Sequence, residues 1–363
     1  MLEGSPKAAK YSQILFAELI KPFLDKGYIT HIYASSGNIE SDAPDFKYEF
    51  YPDNRRIFDL ASLTKALVTA PLVFSEQDLL SQPLSKLLNS EKLARGAKLL
   101  EKKSVLDLLE HKSGLPAWRN FWIESLPTKC AKNRQQRAQL VEKIFARVDL
   151  KEQKETCYSD LGFILLAYIL EARQQKEFDV IFDQFLSAEI DFVADQNHLG
   201  FFGKTGPRES DQFINSGFCA LRQKDLYGEV HDENCAALGG VSGHAGLFGD
   251  GVSLEKYIKK FALSKFGKNF FSTIKNSITN DQNQKYVYGW MNAKGSSAHA
   301  FAKNSSSLVG HFGFTGTAFF IDLDTMNYAI LLTNRLFKHE PSKTRTSNIM
   351  TDLRSLVFNF YSQ

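Results

Sequence analysis

The chain has 363 residues, of which 43% are hydrophobic and 23% charged, and its 44 basic and 41 acidic residues give a net charge of +3. This mixed balance argues against a nucleic-acid footprint, which needs clustered Lys and Arg. The length allows one to three domains around a large core. The cysteines form no C-x-x-C pair and no metal-ligand spacing, so we expect reduced thiols and predict neither a metal nor a cofactor. They are Cys130, Cys157, Cys219 and Cys235.

The first thirty residues predict an amphipathic helix, because the apolar run ILFA stops at Glu18 and is too short for a secretory signal. The longest strongly apolar run, Phe163 to Leu170, is well below the roughly 18 residues that cross a bilayer. We therefore expect no membrane span and a cytoplasmic location for the chain as given, or a periplasmic one if a signal peptide has been removed. The expected partner is a small-molecule or peptide substrate, and the oligomeric state is left open.

Apolar periodicity predicts the elements in chain order. A helix over about 7–26 is followed by two strand patterns, THIYASSG and DFKYEFYP, and by a helix at Ser62. From there to about Ala237 the pattern is mainly helical, and two more helices follow Gly251. The last third predicts strands in YVYGWMN, SLVGHFG, GTAFFIDLD and NYAILLTNR, and then a closing helix in SNIMTDLRSLVFNFYS.

This order predicts an α/β (α+β) fold, because strands joined by hairpin-like links share one antiparallel sheet. The sheet should be built from both termini and flanked by the terminal helices, with a mainly helical region inserted between its halves. We predict a discontinuous α/β domain of residues 1–60 and 245–363, a helical domain of residues 61–244, and a catalytic cleft between them.

The stretch FDLASLTKALVTAPL places Ser62 three residues before Lys65 at a predicted helix start. Residues i and i+3 share one helix face, so the Ser62 hydroxyl and the Lys65 amine could meet as nucleophile and base. The alternative is an N-cap serine beside a solvated lysine. The S-x-x-K spacing also occurs at Ser253 and Ser272, so it does not decide between the two interpretations.

Two further segments offer candidates. Tyr158 precedes a helix that is apolar almost all round, and Ser159 or Asp160 is the expected cap of that helix. His311 and Gly313 lie in a predicted strand, where a glycine often marks close approach of a backbone or a ligand. Each segment also has a structural interpretation, as a buried tyrosine with one satisfied hydroxyl and as a histidine that only packs in its strand.

The glycine-rich segment GEVHDENCAALGGVSGHAGLF carries His231, Asp232 and His244. These residues show no H-E-x-x-H spacing, so a metal site is disfavoured. The string GGVSGH also fails the G-x-S-x-G pattern of α/β-hydrolases. A literal K-T-G string at residues 204–206 lies in a polar loop before the terminal strands, and we interpret it as coincidence.

Taken in order, S-L-T-K at Ser62, Y-S-D at Tyr158 and H-F-G at His311 resemble the motifs of the serine β-lactamase and penicillin-binding protein superfamily. The flanking strings resemble the branch of class C-like esterases, peptidases and muropeptide amidases. They are LLEHKSGLPAW with His111, VHDEN, GGVSGHAGLF, HFGFTGT and LLTNR with Arg335. The resemblance runs from about Phe58 to Arg335 and implies a β-lactamase-like fold.

The resemblance implies a role for each matching residue. Ser62 would be the nucleophile, and Lys65 and Tyr158 would transfer its proton, which requires a lowered lysine pKa or a charged neighbour. The backbone N–H groups of Ser62 and Phe314 would form the oxyanion hole. Substrate contacts would come from His311, Gly313, Asp160 and Arg335. Four residues around these would support the site: His111, His231, Asp232 and His244.

Two positions depart from β-lactamases of this type, which have Asn at the place of Asp160 and Lys at the place of His311. Both changes look like the esterase and peptidase branch and disfavour efficient β-lactam hydrolysis. The leading hypothesis is a serine hydrolase that acts through an acyl-enzyme on small esters, D-amino-acid peptides or muropeptide fragments. The alternatives are a non-catalytic peptidoglycan-fragment sensor with the same fold and a metal hydrolase built on His231 and Asp232.

Overall fold

The computed structural model describes residues 6–88, 100–118, 120, 130–147, 156–193, 198–202, 211–294, 296–302, 305–334 and 343–362. The predicted substrate residue Arg335 and the K-T-G string at 204–206 lie outside these ranges.

Helices occupy both ends and the middle of the described chain. The α-helices are α1 Pro6–Asp25, α2 Ala70–Ser75, α3 Gln77–Leu80, α4 Leu84–Leu87, α5 Val105–Leu109, α6 Arg134–Arg147, α7 Asp160–Gln174, α8 Phe178–Phe185, α9 Glu233–Ala237, α10 Gly251–Leu263, α11 Lys265–Asn280 and α12 Lys343–Tyr361. A wider π-helical turn occurs at Lys65–Thr69 and again at Leu186–Ile190, and Ser297–Ala302 forms a 3₁₀ helix. None of the described helices is long and apolar enough to cross a membrane.

The strands form one large sheet and two small ones. They are β1 Ile32–Asn38, β2 Phe46–Phe50, β3 Phe58–Asp59, β4 Leu199–Gly200, β5 Phe218–Cys219, β6 Lys224–Asp225, β7 Phe248–Gly249, β8 Tyr286–Val287, β9 Trp290–Asn292, β10 Leu308–Phe312, β11 Ala318–Asp322 and β12 Asn327–Thr333. The large sheet has the order β2-β1-β12-β11-β10-β9-β8, and the small sheets are β3-β7-β4 and β5-β6.

The pairing of β1 with β12 joins the two ends of the chain. Their antiparallel register sets Ile32 opposite Thr333 and Asn38 opposite Asn327. The prediction of one antiparallel sheet built from both termini is therefore confirmed. The residue limits of the two predicted domains, and the cleft between them, remain a prediction.

Alternate residues of the sheet face two different cores. In β12, Ile330 and Leu332 belong to the core shared with α10, α11 and the helical middle of the chain. Ala329 and Leu331 face the terminal helices α1 and α12 instead. This period of two sorts the side chains of a strand onto opposite faces of a sheet. It puts β10 between the helical region and the C-terminal helix, which sets the geometry of the site.

One predicted strand is a hairpin. The segment YVYGWMN forms β8 and β9 with Tyr288 and Gly289 at the turn between them. Both turn residues have positive φ, 47° and 82°. Positive φ at both central residues is the requirement of the two-residue type I′ hairpin. The aromatic and β-branched residues gave a strand pattern that concealed the turn.

Candidate active site

A strained turn presents Ser62. It follows β3 directly, and Ala61 adopts the left-handed conformation with φ of 48°. The left-handed conformation costs a non-glycine residue on the order of 1–3 kcal/mol, so it persists only where the surrounding structure stabilises it. The Asp59 carboxylate supplies that support, since its two oxygens accept the N–H groups of Ala61 at 2.8 Å and His231 at 2.7 Å. The helical segment begins just after Ser62, which stays partly exposed.

Lys65 is fully buried, so the alternative of a solvated lysine is wrong. Its Nζ lies 3.1 Å from Ser62 Oγ and 3.0 Å from the carbonyl oxygen of His244. A third contact, at 2.7 Å, is made with Asp160 Oδ1. Two of these contacts are hydrogen bonds donated by the ammonium, and the third is an ion pair. The S-x-x-K pair therefore meets as the nucleophile interpretation requires.

The charge state of Lys65 differs from the one that its expected role as a base requires. Burial lowers the pKa of Lys65, but the Asp160 carboxylate and the Tyr158 hydroxyl outweigh burial, so the pKa is raised above its ordinary value. Lys65 is thus an ammonium at rest. The departure from Asn to Asp at position 160 has this direct consequence, because an amide would not favour the charged form.

Tyr158 completes the cluster around the hydroxyl of Ser62. Lys65 Nζ lies 5.0 Å from the centroid of its ring. Burial raises the pKa of the Tyr158 hydroxyl while Lys65 and a hydrogen bond with Ser62 lower it, and the net effect is a rise. The phenol is therefore neutral and close enough to exchange protons with both partners.

The prediction that Ser159 or Asp160 caps α7 is right about the N-cap position and wrong about the capping hydrogen bond. Ser159 is the N-cap residue, but its side chain makes no capping hydrogen bond. Its hydroxyl donates to the carbonyl of Pro116 at 2.7 Å instead, and its N–H donates to His111 Nδ1 at 2.9 Å. Asp160 begins the helix and pairs with Lys65. These bonds fix the segment that carries Tyr158.

Two buried imidazoles flank Tyr158. The ring of His111 lies 4.6 Å from that of Tyr158, and the ring of His311 lies 5.9 Å from it. His311 Nδ1 donates to the carbonyl of Phe312 at 2.7 Å. Burial, together with the charge of Lys65, lowers the pKa of His311 to about 3 and that of His111 well below its usual range. Both imidazoles are therefore neutral at pH 7.

The loop after β10 is fastened to the turn that carries Ser62. The hydroxyl of Thr315 donates to the Asp59 carbonyl at 2.7 Å, and that of Thr317 donates to the Leu60 carbonyl at 3.3 Å. A Cβ at Gly313 would lie 2.0 Å from Thr317 Oγ1, which explains the glycine expected at a close approach. The loop also carries Phe314, whose side chain is 57% exposed.

Asp232 and His244 support the site through the backbone. Asp232 caps α9 by accepting the Cys235 N–H at 2.7 Å, and its Oδ1 lies 2.8 Å from His244 Nε2. The contact with His244 outweighs burial and lowers the pKa of Asp232 to about 2. Ser242 Oγ bonds to His244 Nδ1 at 2.9 Å. The pair thereby fixes the carbonyl that accepts from Lys65.

His231 contributes its N–H to Asp59, and its ring lies 5.4 Å from that of Phe314. Across the described ranges, no group of three or more His, Cys, Asp or Glu side chains could hold a metal ion. Asp232 bonds to Cys235 and His244, so both it and His231 have structural partners.

Asp59 was not among the predicted site residues. Burial raises its pKa to about 6, yet both of its oxygens accept backbone N–H groups at the serine turn. A signal was present, because a carboxylate in the apolar run IFDLASL is rarely buried without partners. Ser242 was missed as well, and its short polar side chain in a glycine-rich segment gave no comparable signal.

Comparison with known proteins agrees with this geometry. The model of the Beta-lactamase family matches residues 52–351. The N-acetylmuramyl-L-alanine amidase of Bacillus subtilis strain 168 is 31% identical over 316 residues, which cover 79% of this chain and 69% of that protein.

Two solved structures share the fold. EstCE1, a hydrolase with promiscuous acyltransferase activity, aligns with a TM-score of 0.62 at 16% identity over 97% of this chain and 100% of its own. A class C beta-lactamase aligns with a TM-score of 0.63 at 14% identity over 96% of each chain. The family match and the identity to the amidase show that the chain belongs to the β-lactamase family, and it is a serine hydrolase of that superfamily.

Proposed function

We propose that the chain hydrolyses an ester or amide through an acyl-enzyme on Ser62. The observation that carries this proposal is the contact of 3.1 Å between Ser62 Oγ and Nζ of the buried Lys65. A serine hydroxyl is a weak nucleophile until its proton is taken, and a lysine amine held at this distance can take it.

The ammonium form of Lys65 sets the order of the proton transfers. Lys65 passes one proton to the Asp160 carboxylate, 2.7 Å away, and its nitrogen then accepts the Ser62 proton. Ser62 Oγ bonds to the substrate carbonyl carbon, and the charge that develops on the carbonyl oxygen is stabilised by the N–H groups of Ser62 and Phe314. Tyr158 relays a proton from Lys65 to the leaving group as the bond to it breaks. Water then releases the acyl group by the reverse sequence.

The substrate class follows from two features. The relative at 31% identity is named an N-acetylmuramyl-L-alanine amidase, so the leading substrate is the corresponding amide of a muropeptide fragment, followed by small esters. The neutral His311 offers no cation to a substrate carboxylate. Carboxylate-bearing β-lactams are therefore expected to be poor substrates.

A fluorophosphonate probe and a turnover screen test the proposal. The screen includes p-nitrophenyl esters, nitrocefin, D-Ala-D-Ala peptides and muropeptides. We expect labelling at Ser62 and turnover of a neutral ester or a muropeptide, both lost in Ser62→Ala and both kept in Ser253→Ala and Ser272→Ala, which alter the other S-x-x-K strings. Loss in Ser253→Ala with the fold intact would show that Ser62 is the wrong nucleophile.

The same assay decides the two alternatives. Binding of muropeptides without any labelling or turnover would favour the sensor. Turnover that a chelator abolishes would favour the metal hydrolase. We expect neither result, since Ser62, Lys65 and Tyr158 are all present and in contact.

A further inference from the structure

Arg354 reaches from α12 to the loop that follows β10. Its Nη2 donates to the carbonyl oxygen of Gly313 at 2.6 Å and lies 3.4 Å from that of Thr317. Its guanidinium also lies 4.7 Å from the centroid of the Phe312 ring, which packs on the same side of the sheet. The side chain is half-buried, so this interaction is less screened by water than one on the open surface.

The Gly313 carbonyl and the Phe314 N–H belong to one peptide unit. A trans peptide is planar, and its C=O and N–H point in opposite directions. A guanidinium that holds the carbonyl on the α12 side therefore turns the Phe314 N–H toward the opposite side. That side is where His311, the neighbour of Phe312 in the alternating strand, lies beside Tyr158.

The rest of the loop leaves this peptide little freedom. The Gly316 N–H also donates to the Gly313 carbonyl, at 3.2 Å, and the Gly313 N–H donates to the Thr317 carbonyl at 2.8 Å. Gly316 has φ of 98°, and a Cβ there would lie 2.2 Å from Thr333 Oγ1. The arginine thus adds a charged donor to a closed turn. A charged donor forms a stronger hydrogen bond and polarises the peptide, which makes its N–H a better donor.

We propose that Arg354 is a positioning residue for the oxyanion hole, acting through the Gly313–Phe314 peptide on the N–H of Phe314. This inference rests on the proposed function, which assigns that N–H to the oxyanion. Because the charge on the substrate oxygen develops only in the transition state, Arg354 should govern kcat and leave KM nearly unchanged.

The test compares Arg354→Met and Arg354→Lys with the parent on the best substrate of the screen. Complete loss of an oxyanion donor costs about 10²–10³-fold in rate, so weakening one should cost Arg354→Met roughly 10–100-fold in kcat, with KM within about twofold. The rate of fluorophosphonate labelling should fall in parallel, because attack on phosphorus with loss of fluoride also develops negative charge on the phosphoryl oxygen in the hole. Arg354→Lys should recover part of kcat, and added ethylguanidinium should recover part in Arg354→Met.

Arg173→Met is the matched control. Arg173 is another partly exposed arginine on a helix, paired with Glu76 and Asp78 at 2.8 Å each and remote from the serine turn. We expect its kcat to match the parent. Thermal unfolding of each variant separates a loss of fold from a loss of rate. If Arg354→Met does not fold, the same comparison of kcat with KM is made on Arg354→Lys.

The outcomes separate this inference from the proposed function. If Ser62→Ala keeps its turnover, the proposed function fails. If Ser62→Ala is inactive while a folded Arg354 variant keeps the parental kcat, or changes only KM, the proposed function stands and the positioning role is overturned. A loss of kcat that neither lysine nor ethylguanidinium restores would also overturn it.

Discussion

Two of the buried charge clusters in the described ranges differ in what their ions contact. Lys65 pairs with Asp160 beside Ser62. Arg137 of α6 is also buried and pairs with Glu171 of α7 and with Glu177. Both clusters hold a buried cation against carboxylates, so neither burial nor ion pairing by itself marks the functional cluster.

The difference lies in the remaining partners. In the arginine cluster the carboxylates bind the backbone, since Glu171 accepts the Phe178 N–H at 2.9 Å and Glu177 accepts the Arg134 N–H at 2.8 Å. Its hydrogen bonds join helices. The lysine cluster directs one of its three donors to the hydroxyl of Ser62, which can react. A buried ion pair therefore indicates chemistry when one of its partners is a nucleophile that it shares with a proton acceptor.

The largest expected effect tests that distinction directly. Lys65→Met should lower kcat by at least about 10²–10⁴-fold, because proton transfer by a positioned side chain contributes that much. Steady-state kinetics on the best substrate measures it, with circular dichroism to confirm the fold. Lys275→Met, which removes the lysine of another S-x-x-K string and its ion pair with Asp324, is the control. Turnover above a tenth of the parental rate in Lys65→Met would remove Lys65 from the proton pathway.

Arg137→Met should have the opposite profile. Removing one partner of a buried ion pair leaves an uncompensated charge, and this lowers the free energy of unfolding by about 3–5 kcal/mol. Chemical denaturation measures that change. The kcat of the protein that remains folded should stay within about twofold of the parent, because no group of the arginine cluster touches Ser62 in the described chain. A specific loss of kcat at unchanged stability would mean that the arginine cluster belongs to the catalytic machinery.

Asp160→Asn separates the two roles inside the lysine cluster. In the parent, activation moves a proton from Lys65 to Asp160 without exchange with the solvent. The labelling rate should therefore be nearly independent of pH between about pH 6 and pH 9. In the variant the Asp160 carboxylate is gone, so burial lowers the Lys65 pKa against the Tyr158 hydroxyl alone. The reactive form is now the deprotonated amine, whose population grows with pH, so the labelling rate should rise across this range.

The fluorophosphonate labelling rate, measured in both proteins at several pH values, shows the difference. Titration of His311 should cause no change in the labelling rate near pH 6.5, because burial lowers the pKa of His311 to about 3. Parallel profiles in parent and variant would show that Asp160 does not set the charge of Lys65.

Apolar periodicity was enough to predict the strands of the sheet, because it depends on short-range pattern. The S-x-x-K spacing left the contact between Ser62 and Lys65 undecided, and only the order of the three motifs along the chain favoured it. The charge state of Lys65 depends on Asp160, which lies far along the chain and reaches it only in the fold. The bond from Arg354 to Gly313 is equally distant in sequence, and an arginine on an amphipathic terminal helix gives no sign of it. The missed hairpin at Tyr288 has a different cause, since a left-handed tyrosine contradicts the usual turn residues.

The smallest expected effect concerns substrate specificity. A second cation placed near the lysine cluster should change the preference between carboxylate-bearing and neutral substrates. His311 is neutral, and its Nδ1 is committed to the Phe312 carbonyl, so it offers no positive charge to a substrate carboxylate. A hydrogen bond to a charged group is worth about 1 kcal/mol more than a neutral one. His311→Lys should therefore raise the ratio of nitrocefin to neutral-ester turnover by about fivefold.

His311→Gln is the matched neutral control and should leave that ratio where the parent has it. The ratio of kcat/KM values for the two substrates is the measurement, because a general loss of activity from placing a lysine near Lys65 cancels in it. An unchanged ratio in His311→Lys would show that the residue only packs its strand. A parent that already hydrolyses nitrocefin faster than any ester would show that carboxylate recognition comes from elsewhere in the chain.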